Sequence, residues 1–123
     1  MAFYRNFEDL PCWQHARKFC ADAERIIESS KIARSFKLRD QMLGSSGSVM
    51  DNIAEGFDRR SKAEFARFLG YSKGSGSEFR SQLYRALDAD RISESDFKSL
   101  MTQARSIDEE LAKFIKTLGG YGT

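Results

Sequence analysis

The stretch GYSKGSGSEFRSQ, Gly70–Gln82, can be read as a flexible linker, as a phosphate-cradling loop or as the middle of a helix. EFARFLG leads into it and EFRSQLYRAL leads out, both with helical character. Phe65, Phe68, Leu69, Ser72, Gly76, Phe79, Leu83, Ala86 and Leu87 all fall on one face at 3/4 spacing, with no break of phase. A loop at Lys73–Ser77 would have to leave and rejoin that phase by chance. The stretch is therefore expected to be mid-helix. A phosphate loop needs its glycines between a strand and a helix N-terminus, and no strand pattern precedes this one.

The same periodicity, followed outward, gives a helix from Ser61 to about residue 89. SKAE, Ser61–Glu64, is a capping box at its start. A first helix is expected over about 9–29, with Asp9 as cap and Pro11 in its first turn. Trp13, Ala16, Cys20, Ala23 and Ile27 form its stripe, which Phe19 and Ile26 widen. KIARSFKLR, Lys31–Arg39, breaks that pattern. A second helix runs over about 36–56 with Leu38, Met42, Val49 and Ile53 on its buried face and Gly56 as a C-terminal stop. A fourth spans about 93–118. Ser93 and Asp96 cap it, and Phe97, Leu100, Met101, Ala104, Ile107, Leu111, Phe114, Ile115 and Leu118 form its stripe. GGYGT, Gly119–Thr123, is a frayed tail. The expected fold is all-α: one domain over 1–123, an antiparallel up-down four-helix bundle.

Composition agrees with that reading. The 123 residues suffice for one domain, 41% are apolar, 31% are charged, and Pro11 is the one proline. The net charge of +2 leans only weakly towards anionic partners. No apolar run approaches membrane-spanning length, and MAFYRNFEDL has no secretory core, so a soluble cytoplasmic protein is expected. Cys12 and Cys20 are eight positions apart, about 12 Å along one helix. That is too far for a disulfide, and reduced thiols suit the cytoplasm.

Interior glycines each cost about 0.5–1 kcal/mol relative to alanine, so Gly70, Gly74 and Gly76 call for an offset. Gly76, with Ser72, is expected to admit a neighbouring backbone. Ala63, Ala66, Gly70, Gly74, Ser77 and Ser81 form a small, nearly uncharged back face. A solvated face usually carries Lys, Glu and Arg. The plain alternative is a surface that merely tolerates small residues. The sharper reading is an oligomer interface, to which Phe19 and Ile26 would add apolar surface.

Chemistry is sparse. Cys12, His15 and Cys20 do not make a four-ligand zinc site, and the Glu-x-x-His pairs of di-iron bundles are lacking. No metal, cofactor or catalytic residue is expected. Asp108 lies inside the apolar arc of the fourth helix and needs a partner. With Glu55 and Glu78 it is expected to form ion pairs with Lys73, Arg80 or Arg59 that set helix register. The cations gather modestly: Lys31, Arg34, Lys37 and Arg39 in one run, Arg59, Arg60 and Lys62 in another, and Arg67 and Arg85 along one edge of the third helix. One copy would hold phosphates weakly, whereas several copies would gain avidity.

FEDLPCWQHA at 7–16, NIAEGFDR at 52–59 and EFARFLGYSKGSGSEFRSQL at 64–83 resemble a family of proteins related to those encoded in intervening sequences of bacterial 23S ribosomal RNA. The match runs from Phe7 to about Leu87, with the fourth helix alike only in pattern. The resemblance implies a left-handed up-down bundle that assembles as a homopentamer ring. It also implies kinship with the accessory variability proteins of diversity-generating retroelements, basic pentamers that bind nucleic acid and a reverse transcriptase. Most other members have no established activity. The chain departs from the family pattern at Leu43 and Gly44, where a basic pair is frequent, and near Met50, where proline is frequent.

Two readings follow. One is a non-enzymatic oligomeric module that contacts RNA or a ribonucleoprotein through Arg34, Lys37, Arg39, Arg59, Arg60, Lys62 and Arg67. The other is a protein-interaction scaffold with no nucleic-acid role, favoured by the modest charge and the missing basic pair. The partners expected are a second copy of the chain, RNA or DNA, or a partner protein.

Overall fold

The computed structural model describes residues 4–119. Four helices account for most of them: α1 (Pro11–Ser29), α2 (Phe36–Asp58), α3 (Lys62–Asp88) and α4 (Glu94–Thr117). Short 3-10 turns at Phe7–Asp9 and Lys31–Arg34 precede α1 and α2. Each helix packs on the next, and α4 packs back on α1, so the apolar stripes meet in one core. The seam between α2 and α3 is the most extensive. Phe19, Phe57, Phe65, Phe79 and Leu83 are among the largest fully buried side chains. Edge-to-face contacts tie them together, Phe19 on Phe79 at 5.0 Å and Phe57 on Phe65 at 5.7 Å between ring centroids.

Gly70–Gln82 is helical throughout, inside the 27 residues of α3. The Ser61 hydroxyl accepts from the Glu64 amide at 3.3 Å, and Ser93 accepts from Asp96 at 3.1 Å, so both expected N-caps form. Only half of the SKAE box closes, because the Glu64 carboxylate pairs with Arg67 at 2.9 Å.

Four local expectations need correction. Asp9 does not cap α1. It ends the preceding 3-10 turn, Leu10 holds the cap position, and Pro11 opens the helix without needing an amide donor. Gly56 does not stop α2, which continues to Asp58; Gly56 is buried against α3. A Cβ there would overlap Phe68 Cβ and stand 3.2 Å from Phe65 Cδ1. Gly76 is not the close approach: a Cβ there would meet only Val49 Cγ2, at 4.0 Å. Of the two, it is Ser72 that links the helices, its hydroxyl donating to the Val49 carbonyl at 2.6 Å. Finally, Phe19 and Ile26 are 1% and 3% exposed. They belong to the protomer's own core and leave no surplus apolar surface on α1 for an oligomer interface. Of the tail expected at Gly119–Thr123, everything beyond Gly119 lies outside the described residues.

Candidate functional site

The seven cations expected to meet phosphate do not form one patch. Arg34, Lys37 and Arg39 lie at the N-terminal end of α2, and Arg59, Arg60 and Lys62 at its C-terminal end. The 23 residues between those ends span about 34 Å. The two runs read from the sequence are thus two poles separated by the length of a helix.

At the first pole Arg39 is committed. Its Nε pairs with Glu28 on α1 at 2.8 Å and its Nη1 with Asp40 at 2.9 Å, contacts that hold the guanidinium above its ordinary pKa, Glu28 first. Lys31, Arg34 and Lys37 remain exposed. So does Phe36, the first residue of α2, at 79%. The turn from α3 to α4 closes on this pole, with Arg91 donating to the Lys31 carbonyl at 3.3 Å. Asp90, in the left-handed region at φ 59°, occupies the position after the α3 cap that glycine usually takes.

The second pole is more constructed. Arg60 carries φ 60° just past the end of α2, where a left-handed L-residue costs about 1–2 kcal/mol. That conformation lets its amide donate to the Phe57 carbonyl at 3.3 Å and turns the chain into α3. The Arg60 guanidinium stands 5.1 Å from the centre of the Phe57 ring and reaches the Arg5 carbonyl at 3.4 Å. Arg59 crosses the turn to lie 4.8 Å from the Phe68 ring centre. Arg67 lies 5.5 Å from Phe68 and 5.7 Å from Tyr71. Phe68 and Tyr71 meet edge to face at 5.3 Å. Guanidiniums and aromatic rings therefore alternate along one row.

Two of these cations are already partnered. Arg59 pairs with Glu55 at 3.2 Å, one turn back on the same helix, and Arg67 with Glu64. The Glu64 contact raises the Arg67 pKa further. Among the described residues no carboxylate pairs with Arg60 or Lys62. Phe68 and Tyr71 were not among the expected site residues. The i, i+4 spacing of Arg67 and Tyr71 was a usable signal. The Arg59–Phe68 contact was not, because it depends on where the turn points.

The remaining singled-out groups are structural. Asp108 pairs with Lys73 across α3 and α4 at 3.0 Å, both half-buried, at the edge of a small void of about 10 Å³ lined by Phe19, Val49, Ser72 and Gly76. Arg80 turns to the Ser77 hydroxyl at 3.1 Å rather than to a carboxylate. His15 contacts Glu110 at 2.8 Å across α1 and α4. Both cysteines are free thiols. Burial, helped by the nearby Glu110 carboxylate, pushes Cys12 up to about 12, and burial also raises Cys20, so neither is an activated nucleophile. The back face of α3 is open: Ala63, Gly74, Ser77 and Ser81 are exposed, and Ala66 and Gly70 half-exposed. A Cβ added at Gly70 or Gly74 would meet nothing within 4 Å. No helix among the described residues is long and apolar enough to cross a membrane.

Comparison with known proteins bears on this arrangement. The family model described as "23S rRNA-intervening sequence protein" matches residues 8–113. The match extends well into α4, beyond the Leu87 limit expected from motifs. A protein of unknown function from the S23 ribosomal protein family of Bacteroides thetaiotaomicron VPI-5482 has a similar structure, with a TM-score of 0.78 at 19% identity, covering 85% of this chain and 98% of that one. At that identity the likeness concerns the fold. Comparison with curated proteins finds no match.

Proposed function

We propose, for a chain that belongs to the 23S rRNA-intervening sequence protein family, a non-enzymatic module that contacts RNA or a ribonucleoprotein. In this reading the chain is an antiparallel, left-handed up-down bundle that assembles as a homopentamer in the cytoplasm. The observation that carries the RNA reading is the second pole, where Arg59, Arg60 and Arg67 are held over Phe57, Phe68 and Tyr71. Planar cations stacked on rings keep donors directed at solvent and suit phosphate oxygens. Lys62 beside them and Lys31, Arg34 and Lys37 at the far pole add exposed charge. With a net charge of only +2, one copy is a weak binder. Repetition around a ring would supply avidity. Support for assembly comes from the α3 back face, where Gly70 and Gly74 have room that the protomer does not use.

The test is fluorescence anisotropy with a structured RNA and a DNA duplex, at low and near-physiological salt. Affinity should fall steeply as salt rises. Reversing Arg59 and Arg60 to Glu should weaken binding at least tenfold while circular dichroism stays unchanged. Unchanged affinity in that double variant would remove the second pole from the interface. Sedimentation of Gly74→Leu tests the ring: a larger side chain on a packed small-residue face should dissociate it, and an unaltered oligomer would assign assembly to another surface. The scaffold reading is favoured by Leu43 and Gly44, which supply no positive charge to α2. It gains if no RNA or DNA binds the folded, assembled protein and a stoichiometric protein partner co-purifies.

A further inference from the structure

The charge at the second pole is smaller than its residue count implies. Glu55 and Glu64 offset part of the charge of Arg59 and Arg67, so that Arg60 and Lys62 are the cations of this pole without a carboxylate partner among the described residues. What the pole adds is one exposed aromatic ring. Phe68 is 7% exposed and lies beneath the guanidiniums of Arg59 and Arg67, whereas Tyr71 at the end of the row is 47% exposed. The Tyr71 ring is not loose. Phe68 meets it at 74° between ring planes, and Arg67, itself held by Glu64, lies 5.7 Å from its centre.

A duplex would gain little from such a surface. Its bases are stacked within the helix, and it presents phosphates, sugars and groove edges. An unpaired base has a free face that can stack on an aromatic ring, with added cation–π attraction from arginine. We infer that Tyr71 is a stacking platform for an unpaired base, so that the site takes single-stranded or loop RNA in preference to duplex. The inference rests on the RNA-contact reading above and adds to it the class of RNA. Arg60 and Lys62 hold the adjoining backbone, and Tyr71 selects for the unstacked base. Phe36, exposed at the far pole, has no guanidinium stacked on it among the described residues and serves as the internal comparison.

The experiment measures anisotropy of two fluorescein-labelled RNAs of equal length, one unstructured and one fully paired, with wild type, Tyr71→Ala, Tyr71→Phe and Phe36→Ala. The wild type should favour the unstructured RNA about tenfold, the size expected of one stacked base. Tyr71→Ala should abolish that preference and leave the slope of affinity against salt unchanged. Tyr71→Phe and Phe36→Ala should retain it. Quenching of 2-aminopurine in the unstructured RNA, lost in Tyr71→Ala, reports the stack directly. Equal wild-type affinity for the two RNAs, or a preference that survives Tyr71→Ala, would overturn the inference and leave the proposed function standing. Transfer of the effect to Phe36→Ala would also overturn it. Binding to neither RNA would overturn both. Because Tyr71 is half-exposed and Tyr71→Phe keeps the ring, loss of fold is separable by circular dichroism.

Discussion

Gly56 and Gly74 both lie inside long amphipathic helices, and their surroundings are opposite. Gly56 is buried in the α2–α3 seam, where the Phe68 side chain begins against its backbone. Gly74 is exposed on the outer face of α3 with open space around it. In the seam the missing methyl is what lets two helices approach. On the outer face the helix carries the entropic cost of glycine with no return inside the protomer. The comparison teaches that a glycine in a helix marks a close approach only once its neighbours are known. The glycine that resembled a stop signal proved to be the packed one.

Substitution can break this contrast. Gly56→Ala should destabilise the protomer by about 3 kcal/mol, because the clash is with Phe68 Cβ, which cannot move without the α3 backbone. Urea denaturation followed by circular dichroism measures it, and a change below about 1 kcal/mol would mean that the seam relaxes. Gly74→Ala should have the opposite sign. The methyl meets nothing and removes unfolded-chain freedom, so the dilute protomer should gain about 0.5–1 kcal/mol. A loss would show that Gly74 is already covered by another surface under those conditions, which the unfolding midpoint's dependence on protein concentration would reveal.

A smaller effect concerns the α1–α4 seam, whose polar contacts contrast with the aromatic packing of α2 on α3. Asp22 accepts from Lys18 at 2.8 Å and from Gln103 on α4 at 3.2 Å. The Lys18 hydrogen bond is the main cause that holds its carboxyl below the ordinary value, against a desolvation that pushes the other way. Since the folded pKa lies below the unfolded one, the stabilisation is fully present above the unfolded value. It is lost as pH falls through the folded value. The pair lies near the surface, so a few tenths of a kcal/mol are expected. Unfolding midpoints of wild type and Asp22→Asn should differ at neutral pH and converge in acid; a constant difference would assign the effect to packing.

Much of this molecule is legible in its sequence. Period 3.6 carried through Lys73–Ser77 because the core residues on either side stayed in phase, and the helix is continuous there. Ser61 and Ser93 were readable as caps because a hydroxyl three residues before an amide donor is a local geometry. Asp108 was readable as a paired carboxylate because its position in an apolar arc demanded a cation. The candidate site was read only in part. Charge alone points to Arg59, Arg60, Lys62 and Arg67; Phe68 is legible as a core residue, which it is, but its place under two guanidiniums and the exposure of Tyr71 beside it are not.

The line between the two kinds of knowledge follows the range of the forces involved. Helix content, caps and the inward faces depend on residues within a few positions of each other, and those relations survive in one dimension. Whether Phe19 and Ile26 were core or surplus depended on how many helices closed around α1. The separation of Arg34 from Arg59, by contrast, was already set by the helix expected over 36–56 between them. The stacking of Arg59 on Phe68 depended on the left-handed turn at Arg60, which directs one helix end across the next. Burial and stacking are properties of pairs far apart in the chain, and only packing brings such pairs together.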